Sequence, residues 1–166
     1  MDRFYDGEAL RGEGLKVLVE ERSTNCGMNA VETKRVLDEN GIYNPEKIVL
    51  YQDCTMSLRT KAGFERVYEG TGTQVSCWTG WTPVVTTNKS GEIVYDVEKI
   101  RKETGKEIKE EELWDIERFL GLIVGEIPRF EAYGPRGIGS IVNVVIPGDV
   151  RSAWERLETE GIGKRR

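Results

Sequence analysis

Three short stretches of this 166-residue chain carry side chains able to do chemistry. The first is Glu21-Arg22-Ser23-Thr24-Asn25-Cys26, with Asn29 a turn further on. It sets a carboxylate, hydroxyls, amides and a thiol at the expected start of a helix. Ser23, Thr24 and Asn25 are all good N-cap residues, and the free N–H groups of a helix start attract anions. A capped helix with nothing bound accounts for the same residues. The second stretch, Asp53-Cys54-Thr55 followed by Arg59, repeats the arrangement at the next strand end. The third is Tyr133-Gly134-Pro135-Arg136-Gly137, where Tyr133 offers a stacking face and Arg136 a five-donor fork suited to carboxylate or phosphate. A surface turn with a salt-bridged arginine is the alternative there.

Gathered at one edge, Glu21, Ser23, Thr24, Asn25, Cys26 and Asn29 would meet Asp53, Thr55 and Arg59, with Tyr133 and Arg136 closing over them. Donors, acceptors, carboxylates and fixed cations of this kind suit a polar small molecule. A hydrolase or transferase using Glu21 or Asp53 as its acid–base group is a further reading, and no catalytic residue is assigned.

Absences narrow the chemistry. The chain has no histidine, which excludes imidazole acid–base catalysis and histidine metal ligands from this chain alone. Its three cysteines, Cys26, Cys54 and Cys77, are widely spaced and form no Cys-x-x-Cys, so neither a metal site nor a disulfide framework is expected. Cys26 stands near a helix N-terminus, where a thiol pKa tends to fall, but no neighbouring base is visible. A small half-buried thiol is the favoured reading. Neither a Gly-x-Gly-x-x-Gly loop nor a Walker lysine is present.

A net charge of −5 argues against nucleic acid as a partner. No apolar run approaches the ~20 residues of a membrane span and no signal peptide opens the chain, so no membrane partner and a cytoplasmic location are expected.

The elements that must position these residues follow from the apolar pattern. Residues 1–14 read as a polar leader with a weak helical tendency over Met1–Leu10, and Lys164–Arg166 as a frayed tail. Leu15–Val19 reads as a strand, followed by a helix from Cys26 to about Asn40 with Cys26, Ala30 and Leu37 on one face. Lys47–Gln52 reads as a strand whose Ile48-Val49-Leu50 centre is buried on both faces. A helix from the Asp53–Thr55 cap to about Tyr68 follows, with Thr60, Phe64 and Val67 inward, and then a strand over Thr73–Thr79. This order predicts a Rossmann-like parallel sheet with a β-α-β-α-β core over residues 15–90. Both polar turns would then share the carboxyl edge of the sheet.

Trp78–Gly91 reads as irregular chain. Leu113, Ile116, Leu120, Ile123 and Ile127 predict an amphipathic helix ending before Pro128. Ile141–Ile146 reads as a late strand, and Val150, Ala153, Trp154 and Leu157 as a closing helix. Residues 91–166 thus form a helical C-terminal part of a single domain spanning 1–166.

Four motifs carry a family resemblance: Glu21-Arg-Ser-Thr-Asn-Cys-Gly-Met-Asn-Ala30, Gln52-Asp-Cys-Thr-Met-Ser-Leu-Arg-Thr60, Gly125-Glu-Ile-Pro-Arg129 and Tyr133-Gly-Pro-Arg-Gly137. In order and spacing, from about Leu15 to Leu157, they resemble the YdcF branch of the YdcF/SanA family. The resemblance implies a Rossmann-like α/β domain and S-adenosylmethionine as ligand, with no established reaction. It also implies strand–helix units ahead of the first motif, so the chain is expected to correspond to the family's C-terminal two-thirds. A non-catalytic remnant or interaction module is the alternative function. In either case a family-central strand would become an edge able to self-associate.

Overall fold

The computed structural model describes residues 11–163, so the expected helix over Met1–Leu10, most of the leader and the Lys164–Arg166 tail lie outside the described residues. Helix α1 spans Cys26–Glu39 and begins at Asn25, whose side-chain carbonyl accepts the Met28 N–H at 3.0 Å. Strand β1 is Lys47–Tyr51, helix α2 is Ser57–Val67, and strand β2 is Gln74–Trp78. β1 and β2 pair in parallel, with Ile48 opposite Val75 and Leu50 opposite Cys77. Val85–Thr87 (β3) and Ile93–Tyr95 (β4) form a separate antiparallel pair. Helix α3 covers Val97–Thr104, α4 covers Ile116–Tyr133, and α5 covers Gly148–Thr159.

The expected Rossmann-like sheet is not formed. The described residues hold two sheets of two strands each, and only one of them is parallel. Leu15–Val19 is not a strand, because a strand satisfies its N–H and C=O groups only through a neighbour, and neither β1 nor β2 pairs with it. Leu15 and Val19 are instead exposed. What survives of the predicted core is one unit, β1–α2–β2, with α1 packed on α2.

One face of that small sheet is covered, and among the described residues the other is bare. Ile48, Leu50 and Val75 pack on Ala30, Phe64 and Tyr68, whereas Val49, Tyr51 and Trp78 are 70%, 67% and 64% exposed. The expectation that Ile48-Val49-Leu50 is buried on both faces is therefore wrong for Val49. An apolar run indicates two covered faces only when elements exist to cover both.

The second half also departs from expectation. The Trp78–Gly91 stretch contains β3, whose turn to β4 is organised by Asn88: its side-chain carbonyl accepts the N–H groups of Ser90 (2.9 Å) and Glu92 (3.0 Å). Ile141–Ile146 is not a strand. It keeps a strand's period-two burial, with Val142, Val144 and Ile146 packed toward Ala62 and Phe130. Its Val142 N–H donates to the Ala62 carbonyl of the sheet unit at 3.1 Å.

Helix α4 runs through Pro128 instead of stopping before it. Proline has no N–H, so the Val124 carbonyl loses its helical donor. The indole Nε1–H of Trp154 on α5 donates to that carbonyl at 3.0 Å. The helix can continue because the freed acceptor has found a donor on the neighbouring helix. The end of α4 is set by the Tyr133–Gly137 turn, where the Gly134 N–H bonds the Phe130 carbonyl and the Ile138 N–H the Ala132 carbonyl. A Cβ on Gly137 would lie 1.9 Å from the Ala132 oxygen, so this position admits only glycine.

Trp154→Phe keeps the aromatic bulk and removes the donor, and is expected to cost about 1–3 kcal/mol in urea unfolding. Pro128→Ala restores an N–H within α4 and is expected to recover part of that loss in the double variant. An equal loss in both backgrounds would contradict the exchange of donors.

Candidate functional site

A cleft with a volume of about 680 Å³ lies between the start of α1, α2 and the chain after α4. Four of the residues predicted from sequence line it: Asn25, Cys26, Arg59 and Tyr133. The two helix starts do meet here, since the Cys26 thiol is 3.9 Å from the Met56 sulfur. Met28, Val31, Ile138 and Ile141 make the remaining wall largely apolar.

Arg59 dominates the polar side of this cleft, but its charge is already matched. Its Nε and Nη2 donate to the two carboxylate oxygens of Glu126 at 2.8 and 3.1 Å, with the side chains only 12% and 9% exposed. Arg129 donates to Glu126 at 3.0 Å from the other side. Burial opposes the charged guanidinium, the Glu126 carboxylate outweighs it, and the Arg59 pKa is raised. The Tyr133 ring lies 5.7 Å from the guanidinium carbon, within cation–π range. Cys26 also neighbours Arg59.

The other predicted residues are placed elsewhere. Asn29 is half-buried within α1, and its N–H bonds the Asn25 carbonyl at 3.0 Å. Glu21 and Thr24 are exposed, and Ser23 is held by Glu20, which accepts its hydroxyl and its N–H. That donation from Ser23, with the Arg22 and Ser23 N–H groups, holds the Glu20 carboxyl below its ordinary pKa. Asp53 does not cap α2. It accepts the N–H and hydroxyl of buried Thr55 at 2.8 and 2.6 Å, and it faces a second, smaller cavity. Arg136 sits on the exposed turn after α4 beside a third cavity with Glu131 and Arg151. Glu126 and Arg129 are the residues that reasoning from residue types missed. Both lie in the Gly125–Arg129 motif, where helical spacing shows only the apolar stripe.

The cleft has the size of a small-molecule pocket, a helix N-terminus at one end and an aromatic face at the other. It contains no aligned nucleophile and base. Among the described residues no three His, Cys, Asp or Glu side chains group closely enough to hold a metal, and no helix is long and apolar enough to cross a membrane.

The buried pair should respond as a unit. Glu126→Leu strands two arginines and is expected to cost about 3–5 kcal/mol in urea unfolding, with Arg59→Met costing less because Arg129 still serves Glu126. The double variant should lose clearly less than the sum. Strict additivity would show that the two side chains do not support each other.

No model of a known protein family matches the sequence.

Proposed function

We propose that this chain binds a small nucleoside-type molecule in the cleft beside Asn25, Cys26 and Tyr133, S-adenosylmethionine being the ligand that the four YdcF-like motifs imply. The observation that carries the reading is the convergence of the first, second and fourth motifs on one cleft of about 680 Å³. The N–H groups at the start of α1 suit a carboxylate, and Tyr133 suits stacking on a base. Arg59 builds the wall and does not serve as a free cation, because Glu126 holds both of its donating edges. No reaction is assigned. The reading places the protein in the cytoplasm, where three unpaired thiols stay reduced.

Calorimetric titration of S-adenosylmethionine and S-adenosylhomocysteine into the folded chain tests this. Saturable heat is expected, and Tyr133→Leu should weaken it by about tenfold through lost stacking. No saturable heat from folded protein, or full affinity in Tyr133→Leu, would remove the proposal.

A second reading, an interaction module, is favoured by the bare face of the β1–β2 sheet. Val49, Tyr51 and Trp78 stand there together, with Tyr51 and Trp78 in edge-to-face contact at 5.4 Å. The charge at its margin is balanced, since Lys47 lies 3.6 Å from Glu46. A second copy of this chain can therefore cover the face without like-charge repulsion, by a two-fold arrangement in which the same patch meets itself. Sedimentation velocity is expected to show a dimer that Val49→Lys and Trp78→Lys dissociate. A wild-type monomer at micromolar concentration excludes it.

A further inference from the structure

The second cavity, about 100 Å³ in volume, lies between the β3–β4 hairpin and the start of α4, away from the cleft at α1. Its walls include four aromatic residues, Trp81, Tyr95, Trp114 and Phe119, and two carboxylates, Asp53 and Glu112. We infer that this aromatic and acidic chamber is a binding site for a small quaternary ammonium head, of the choline or trimethyllysine kind.

The walls select for charge and hydration together. An aromatic face attracts a cation through its quadrupole, and an alkylated ammonium, being weakly hydrated, gives up water easily to enter such a box. A metal ion would need oxygen ligands in place of ring carbons, and a bare lysine ammonium is strongly hydrated. A cavity of about 100 Å³ is small enough to favour a compact head over a larger ligand.

Three observations bear on the chamber independently of its outline. Tyr95 is only 8% exposed. Its ring is fixed against Phe119 at 5.5 Å, so the wall is preformed. The Arg118 guanidinium carbon lies 4.7 Å from the Trp114 ring centroid, so one Trp114 face is already taken and only its other face is open to a ligand. Asp53 and Glu112 supply negative charge to the lining, and the Tyr95 hydroxyl is pushed up to about 12, first by burial and then by the nearby Asp115, Cys54 and Asp53. One Asp53 oxygen takes the Thr55 N–H and hydroxyl, leaving the other carboxylate oxygen for an incoming cation.

Tryptophan fluorescence titration with tetramethylammonium and choline chlorides tests the assignment, with sodium chloride at equal ionic strength as reference. Saturable quenching by both is expected, and the neutral isostere 3,3-dimethylbutan-1-ol should bind about tenfold more weakly than choline. Trp81→Leu and Asp53→Asn should each weaken choline several-fold, while Trp81→Phe should retain it. Comparing choline with Nε-trimethyllysine separates a free molecule from a modified side chain as the source, and saturation by either supports the site. Equal or tighter binding of the neutral isostere would make the chamber a plain apolar slot and overturn the assignment. So would absence of saturable quenching in the wild type, a comparison that does not depend on any variant folding.

Discussion

The Arg59–Glu126 pair is the constraint on which the rest of the structure depends. It joins α2, the helix of the sheet unit, to α4, the longest helix of the second half, across a separation of 67 residues. Two buried charges are tolerated there because each oxygen of Glu126 has a donor and Arg129 adds a third hydrogen bond. With α4 fixed against α2, the chain leaving α4 lies along α2 and its apolar side chains pack on Ala62. That same placement brings Tyr133 over Arg59 and closes one side of the cleft. The pair is thus a part of the cleft's construction before it is part of any ligand chemistry.

A second consequence is that α4 must be long. If it stopped before Pro128, Arg129 and Phe130 could not take their helical places beside Glu126, and Tyr133 would not reach the cleft. The Trp154 donation to the Val124 carbonyl makes the continuation affordable in hydrogen-bond terms. Helix α5 therefore acts on the site from a distance, through one indole nitrogen. The glycine at 137 acts from the other end, letting the turn fold back against the Ala132 carbonyl.

Local signals were legible in the sequence and long-range ones were not. Asn25 reads as a cap and caps α1; the apolar spacing of Val150, Ala153, Trp154 and Leu157 reads as a helix and is one. Leu15–Val19 and Ile141–Ile146 carry strand-like patterns, but pairing needs a partner that no local pattern names. Pro128 reads as a stop because its missing donor is local, while the remedy comes from Trp154, 30 residues from Val124. Of the site, Asn25, Cys26, Arg59 and Tyr133 converge as residue types suggested, whereas Asp53 and Arg136 face other cavities. Arg59 was legible as a cation and not as a satisfied one, since Glu126 lies in a different motif on a helix read only for its apolar stripe.

Proton exchange at the Arg59 Nε–H, followed by nitrogen-15 NMR, tests the central claim most directly. A donor held 2.8 Å from Glu126 in a largely buried pair should exchange with water far more slowly than the Nε–H of exposed Arg136. It should also lose that protection in Glu126→Leu. An Arg59 Nε–H exchanging as fast as that of Arg136 would mean that the pair is open in solution, and the account of how the cleft is built would fail with it.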